Sequence, residues 1–292
     1  MRVGFIGLGN MGQPMAANIL DAGHTLTIHD TRRRTGRDLE AAGASWAEDP
    51  RAVAARSEVV LTSLPDTGAV EQVALCNNGV FSGLAGGSTY VDTSTIAPSA
   101  MRRISAMGTK RGLHVLDAPV SGGIHGATDA ALTLFVGGDA EDLERARPVL
   151  EAVGNRIVHV GPAGSGHEIK LINNLMMFVN FLGACEGVAM SARAGIDLRL
   201  LLDTITSSMG QSRIFERTVS LFLNSGRMGS TTDLAAKDMR LGVELGSELG
   251  VPMEVSRLVR DLIVRFRDAG DRGQGEFTDM IPDLLRRSGV DV

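Results

Sequence analysis

Six residues near the start of the chain constrain its fold more than any others. Gly7-Leu8-Gly9-Asn10-Met11-Gly12 is a G-x-G-x-x-G. It stands directly behind the apolar run Val3–Ile6. It also opens a segment, Met11–Ala22, whose Met11, Met15, Ile19 and Leu20 repeat at helical spacing. In a chain with 36 glycines among 292 residues the spacing alone would carry little weight. Between a strand and a helix it gives each glycine a task. Gly7 makes the tight turn, Gly9 leaves room for a pyrophosphate against the backbone, and Gly12 lets the helix pack closely on the strand. The helix N-terminus then presents N–H groups and the positive end of its dipole to phosphate. The next strand ends at Asp30, 18 residues after Gly12, where a carboxylate accepts hydrogen bonds from ribose hydroxyls. A dinucleotide is therefore expected. NAD is preferred, because the Asp30 carboxylate repels a 2′-phosphate; Arg32 and Arg33 nearby keep NADP as the alternative.

The same strand–helix alternation continues through the first half. Strands are expected at Val3–Ile6, Leu26–His29, Val59–Ser63, Tyr90–Asp92, Val115–Asp117, Leu132–Val136 and Ile157–Val160. Most are short apolar runs without strict alternation, as in strands covered on both faces. Helical patterns such as Ala69–Cys76 and Ala140–Val153 lie between them, which predicts a mostly parallel sheet with right-handed crossovers. Two strand ends, Leu64-Pro65-Asp66 and Asp92-Thr93-Ser94-Thr95-Ile96, should line the cofactor crevice, because ligands bind at the carboxyl ends of such strands.

The pattern changes at Gly161-Pro162-Ala163-Gly164. Beyond it no convincing strand is read. One long, mostly apolar helix is expected over His167–Arg193, followed by helices at about Leu198–Thr206, Ile214–Phe222, Leu234–Leu249 and Met253–Arg267. The sequence thus predicts an α/β chain: a Rossmann-type dinucleotide-binding domain over 1–162, then an all-α domain over 163–292, linked by the long helix. Such an apolar helix should be buried on nearly all sides. Its longest apolar stretch, Leu175 to Cys185, contains Asn180 and is too short to cross a bilayer.

Composition narrows the function further. A net charge of −5, with no basic run longer than Arg32-Arg33-Arg34, argues against nucleic acid as a partner. The two cysteines, Cys76 and Cys185, form neither a disulfide framework nor a zinc motif, and a reducing cytoplasm is expected. The N-terminus enters a strand at once, with no signal-peptide pattern. The six histidines show no metal spacing, and no metal is predicted.

Four separated blocks resemble the β-hydroxyacid dehydrogenase family, which includes 3-hydroxyisobutyrate dehydrogenase and tartronate semialdehyde reductase. They are Gly7–Gly12 with Met15-Ala16 and Asn18; Asp117-Ala118-Pro119-Val120-Ser121-Gly122-Gly123; Gly164-Ser165-Gly166 leading to Lys170 and Asn173-Asn174; and Lys237-Asp238. The resemblance implies a 6-phosphogluconate dehydrogenase-like architecture and hydride transfer between NAD(P) and a small 3-hydroxy acid or its semialdehyde. It further implies that Lys170 is the catalytic lysine, that Ser121, Gly122 and Gly123 hold the substrate carboxylate, that Asn174 positions the substrate, and that Thr95 and Lys237 lie near the cofactor. Leu8, Asn10 and Met11 belong to the cofactor site as members of the glycine loop, and Leu64 and Pro65 as a strand end at the crevice; the apolar long helix and the resemblance together lead to the expectation of a homodimer or homotetramer.

The residue chemistry agrees with these roles. Lys170 and Asn174 are four apart and share a helix face. Desolvation and nearby cations lower a lysine's pKa and make proton exchange near neutral pH feasible. Ser121-Gly122-Gly123 offers a hydroxyl and unhindered backbone N–H groups to an anion. The alternatives are an imine reductase on the same architecture and a dinucleotide-binding domain without catalysis; relatives of both kinds lack the lysine. Two departures from the family pattern stand out. Ala130-Ala131-Leu132 occupies the place where relatives often carry Gly-Thr-Leu. Gly229-Ser230-Thr231-Thr232-Asp233 lacks the aromatic residue that relatives often carry ahead of Lys-Asp, and this departure bears on substrate choice.

Overall fold

The computed structural model describes residues 1–270 and 272–290. The chain divides into two compact units, Met1–Lys170 and Leu171–Val292.

The first unit holds nine strands: β1 Arg2–Ile6, β2 Thr25–His29, β3 Ser45–Trp46, β4 Val59–Thr62, β5 Thr89–Asp92, β6 His114–Asp117, β7 Val120–Ser121, β8 Thr133–Gly137 and β9 Arg156–Gly161. They form one sheet in the order β3-β2-β1-β4-β5-β6-β8-β7, with β9 paired to β8. The six strands from β3 to β6 are parallel. The order 3-2-1-4-5-6 is that of a doubly wound dinucleotide-binding sheet. The parallel expectation ends there, because β8 runs antiparallel to both β6 and β7. The strands read from sequence all form, each with one or both ends shifted by one residue. β3 and β7 were not expected; at two residues each they are too short to leave a period.

The lack of alternation has a direct cause. Val59 and Leu61 of β4 enter one buried apolar cluster with Val91 and Leu116, while the intervening Val60 enters another with Tyr90 and Val115. Both faces are covered, so successive residues are all apolar. Several helices start at a side-chain cap or at a proline. Asp66 accepts from Ala69 N at the head of Thr67–Leu75, Asp139 accepts from Glu141 N ahead of Ala140–Leu150, and Pro98 occupies the first position of Pro98–Thr109.

The second unit is helical. It takes the greater part of the long helix Ser165–Arg193, then Leu198–Thr206, Arg213–Leu223, Thr232–Glu248, Glu254–Asp268 and Met280–Arg287. Phe178, Phe181, Val188, Phe215, Met239, Ile263 and Phe277 make its core, with Phe277 edge-on to both Phe178 and Phe181. Two sequence expectations for the long helix need correction. It is not buried on nearly all sides: Ile172 is 45%, Met176 63% and Met190 72% exposed. At 29 residues, with a window mean hydropathy of 1.5, it also has the length and composition to cross a membrane. The expectation rested on Leu175–Cys185 alone, which is only part of this helix.

Candidate active site

The register of the parallel strands places one row of residues at the carboxyl edge of the sheet. His29, Ile6, Thr62, Asp92 and Asp117 are successive neighbours across β2, β1, β4, β5 and β6. Every loop assigned to the cofactor from sequence leaves this row. The ladder runs one bond past it: Gly7 N–H donates to His29 O, Ser63 N–H to Ile6 O, Thr93 N–H to Thr62 O and Ala118 N–H to Asp92 O, at 2.7–3.0 Å. The loop starts are therefore as fixed as the strands.

The glycine loop fits a dinucleotide. Gly7 has φ +95°, and a Cβ there would run into Ser63 O. A Cβ on Gly12 would run into Gly7 O, whereas one on Gly9 would meet nothing within 4 Å. The first two glycines are demanded by the protein's own packing. Gly9 is not, and its bare backbone suits close approach by a ligand. The helix Gly12–Asp21 begins without a side-chain cap hydrogen bond, which suits a phosphate at its N-terminus. Asn10 is exposed and Met11 half-buried on this loop. Leu8 is 1% exposed, packed in the core.

Asp30 follows β2 and is 8% exposed. Its Oδ2 accepts from Leu8 N at 2.8 Å and its Oδ1 from Arg32 N at 2.7 Å. The Arg32 Nε stands 3.5 Å from Oδ1. The carboxylate thus ties the glycine loop to the end of β2, with lone pairs left over for further donors. Arg33 lies over Trp46 at 4.3 Å and pairs with Glu40.

Leu64 and Thr95 are half-buried and Pro65 is exposed. Leu64 N–H donates to Ser94 Oγ at 2.9 Å, which links the loop after β4 to the loop after β5. Ser121 ends β7, and Gly122 and Gly123 have φ +142° and +68°. Both conformations favour glycine, so the Ser-Gly-Gly run is set by backbone geometry.

Beneath the start of the long helix lies a buried polar cluster. Asp117 accepts from the backbone N–H groups of Gly164 (2.7 Å) and His167 (3.0 Å). Asp92 Oδ1 accepts from Thr62 Oγ1 and Ser94 Oγ, both at 2.7 Å. Asp92 Oδ2 faces His167 Nε2 at 3.3 Å, and both side chains are fully buried. Thr62 Oγ1 is also 2.9 Å from the Tyr90 hydroxyl. Burial, then the nearby Asp92 charge, pushes the Tyr90 phenol well above its ordinary value, against a smaller opposing effect of the Thr62 hydrogen bond. Gly166 lies against Phe135 O and Asp117, with no room for a Cβ. Lys170, half-buried, stands one turn further along the same helix.

In the second unit Asn174 is 4% exposed. Its Nδ2 donates to Asp238 Oδ2 at 2.7 Å, and its Oδ1 accepts from Asn173 Nδ2 at 3.1 Å. Lys237 Nζ lies 3.2 Å from Asp238 Oδ1. Asp238 therefore gathers Asn174 and Lys237 around one carboxylate. Sequence reasoning missed this role for Asp238 and gave His167 none. Asp92 is legible only as the start of a strand end at the cofactor crevice, and Asp117, Asn174 and Asp238 only as members of separate blocks. Among the described residues no group of His, Cys, Asp or Glu has the arrangement of a metal site.

Comparison with known proteins agrees with this geometry. The model of the NAD-binding domain of 6-phosphogluconate dehydrogenase matches residues 2–161, and that of the NAD-binding of NADP-dependent 3-hydroxyisobutyrate dehydrogenase matches residues 164–283. The chain is 34% identical to 2-(hydroxymethyl)glutarate dehydrogenase of Eubacterium barkeri, over 100% of this chain and 97% of that one. It is 42% identical to an NAD-dependent L-serine dehydrogenase of Pseudomonas aeruginosa, over 72% and 70%. A solved structure of Mycobacterium tuberculosis 3-hydroxyisobutyrate dehydrogenase with L-serine is 31% identical, with a TM-score of 0.88 over 97% of this chain and 99% of that one. An imine reductase from Pseudomonas sp. is 18% identical with a TM-score of 0.64, a likeness of fold alone.

Proposed function

Since the chain belongs to the 3-hydroxyisobutyrate dehydrogenase-like β-hydroxyacid dehydrogenases, NAD(P)-dependent enzymes, we propose that Lys170 exchanges the hydroxyl proton of a short 3-hydroxy acid during hydride transfer. When bound, the nicotinamide supplies the hydride acceptor or donor. The protein's own residues supply the rest. In the oxidative direction the Lys170 amine takes the proton that leaves the substrate hydroxyl; in the reverse direction its ammonium returns one to the forming alkoxide. Ser121, Gly122 and Gly123 hold the carboxylate through the hydroxyl and backbone N–H groups. Asn174 fixes the orientation of the reacting carbon.

The observation that most supports this reading is the pairing on the long helix. Lys170 and Asn174 stand four residues apart, and the Asn174 amide is locked by Asp238 rather than left to rotate. Lys170→Ala tests it. Turnover should collapse by about 10²–10⁴-fold, the usual worth of a general acid–base, with NADH affinity retained. Unchanged turnover would rule the reading out.

We take NAD as the preferred cofactor, on the Asp30 carboxylate behind β2 and its repulsion of a 2′-phosphate, with NADP second because Arg32 lies against the same carboxylate. The substrate class is that of 3-hydroxyisobutyrate, L-serine and tartronate semialdehyde; a panel of such acids read at the nicotinamide absorbance selects among them. We propose a cytoplasmic location, a reading supported by Cys76 and Cys185 being free thiols. Self-association is expected through the exposed apolar face of the long helix. There Ile172, Leu175, Met176 and Val179 line an open groove with Asn180 and Ser256, beside the exposed Val255 and Leu258.

A further inference from the structure

We propose that His167 is a positioning residue for Lys170, its buried imidazole held against the Asp92 carboxylate so that the first turn of the long helix is registered on the cofactor-side strand ends. The proposal rests on the proton-transfer reading of Lys170 and goes beyond it by assigning a role to a histidine that the chemistry itself does not use.

Several contacts hold that turn, and they do different things: close packing of Gly166 on Phe135 O and Asp117 sets how near the helix lies to the sheet. The backbone N–H groups of Gly164 and His167 bond to Asp117. These groups lie close to the helix axis, so they fix how far the helix extends over the sheet. They resist rotation about the axis only weakly. The His167 side chain reaches off the axis to Asp92 Oδ2, 3.3 Å away, and an off-axis contact is what stops rotation. The exposed Arg102–Glu168 pair is a weaker restraint, because solvent screens it.

Asp92 is a fixed reference. Thr62 Oγ1 and Ser94 Oγ occupy its other oxygen, and Ser94 in turn accepts from Leu64 N–H. The chain of contacts Leu64–Ser94–Asp92–His167 therefore runs from two loops at the cofactor edge to the helix that carries Lys170. His167 and Asp92 meet at ion-pair distance without the angle of a hydrogen bond. Among the described residues Asp92 Oδ2 and both imidazole nitrogens have no other hydrogen-bond partner. Polar atoms this deeply buried are rarely left so, and the cost of burying the pair asks for a role in return.

The leverage is large. A helix backbone has a radius of about 2.3 Å, and an extended lysine puts Nζ roughly 8 Å from the axis, so a rotation of about 7° moves the amine by about 1 Å. A misplacement of about 1 Å can cost on the order of 10²-fold in rate.

The test compares two variants of the full-length enzyme, with NAD and either L-serine or 3-hydroxyisobutyrate, below each variant's own melting temperature. His167→Gln keeps an N–H within reach of Asp92. His167→Met keeps the volume and removes the donor. His167→Met should lower kcat by about ten- to a hundredfold, with KM for the acid and the dissociation constant for NADH within about twofold of the parent. His167→Gln should recover kcat to within about threefold. A kcat for His167→Met within about twofold of the parent overturns the proposal, as does a loss that falls on NADH binding instead, or a Gln variant no better than Met. Should His167→Met fail to fold, Asp92→Asn carries the test. It removes the carboxylate oxygen facing His167, and a parent-like kcat overturns the proposal equally. Lys170→Ala is measured alongside. If it is inactive while His167→Met is parent-like, only the role of His167 falls; if it is itself parent-like, the proton-transfer reading falls and takes this proposal with it.

Discussion

The glycine loop gives a prediction in which two chemically identical changes, three residues apart, should fail in different ways. In Gly12→Ala the new methyl runs into the carbonyl oxygen of Gly7 and lies 3.1 Å from Phe5 Cε1. Gly7 cannot yield, because its φ is +95°, its own Cβ position is filled by Ser63 O, and its N–H is bonded to His29 O. Overpacking of this kind costs about 1–3 kcal/mol. At roughly 2–4 °C per kcal/mol for a chain of this size, Tm should fall by about 2–12 °C. In Gly9→Ala the methyl meets nothing within 4 Å, and the backbone there is not left-handed. Apo stability should change by less than about 0.5 kcal/mol, or rise by about 0.4–1 kcal/mol because the unfolded chain loses freedom. NADH affinity, by contrast, should fall at least about tenfold, or about 1.4 kcal/mol, because the methyl occupies the approach to the backbone. Thermal unfolding with and without NADH reads both effects. At a concentration of about 100 times the parent dissociation constant, NADH stabilises the parent by about 2.7 kcal/mol, and a tenfold weaker variant by only about 1.4 kcal/mol. If Gly9→Ala melts like the parent and responds to NADH like the parent, the loop does not cradle the dinucleotide. If it is destabilised as much as Gly12→Ala, the open space at Gly9 is wrong.

Two further predictions concern the body of the protein. Met176→Lys, on the exposed apolar face of the long helix, should shift the enzyme toward monomer in light scattering behind size exclusion, and a parent that is already monomeric refutes the self-association reading. Tyr90 predicts an alkaline limb in stability. Its phenol is raised above the ordinary value near 10, so above that pH the unfolded chain gives up a proton that the folded one keeps. Stability from this group is therefore full below about pH 10 and is lost as pH rises toward the higher folded value. The urea midpoint of the parent should fall between about pH 9 and pH 11, more steeply than that of Tyr90→Phe, and parallel curves would contradict the assignment.

What the sequence disclosed and what it hid follow from how far apart the interacting residues lie. The turn from β1 into the first helix was legible because its determinants are consecutive: an apolar run, three spaced glycines, an amphipathic stretch. Asp30 was legible because it ends the very next strand. The Ser121–Gly123 run was legible as a motif, yet β7, which ends at Ser121, was not, since two residues cannot show a period. The last helix, Met280–Arg287, was missed because Pro282 near its start reads as a breaker, although proline is tolerated in a first turn. The Asp92–Asp117–His167 cluster joins residues up to 75 positions apart, and no local pattern announces that three polar side chains will converge in the interior. The apolar character of the long helix was read correctly, but its burial was not, because a period of apolar residues says that a face wants cover without saying what supplies it.

The two departures from the family pattern turn out to differ in kind. Ala130 has φ +51°, so the backbone at the first departure keeps the left-handed conformation that suits the glycine relatives often carry there. An L-residue in that region costs about 1–3 kcal/mol, and the local structure bears this instead of changing shape. Ala131 N–H still bonds to Gly126 O, and Leu132 is fully buried. The first departure is therefore absorbed by the backbone, and nothing about the substrate follows from it. The second is not absorbed in this way. The backbone N–H groups of Met228 and Gly229 donate to the Glu276 carboxylate at 2.7 and 2.8 Å, and those of Thr232 and Asp233 to Gly275 O and Gly273 O. The Thr231 hydroxyl caps the following helix and the Thr232 hydroxyl donates to Gly275 O, so the side chain that can vary without moving the segment is that of Ser230. Having Ser230 in place of an aromatic ring then changes the surface the segment presents and leaves its position alone. Of the two departures, only the second changes side chains on a segment whose backbone is held elsewhere, and restoring an aromatic residue at Ser230, rather than at Thr231, whose hydroxyl caps the helix Thr232–Glu248, is the substitution that should shift the order of preference among short 3-hydroxy acids without lowering Tm.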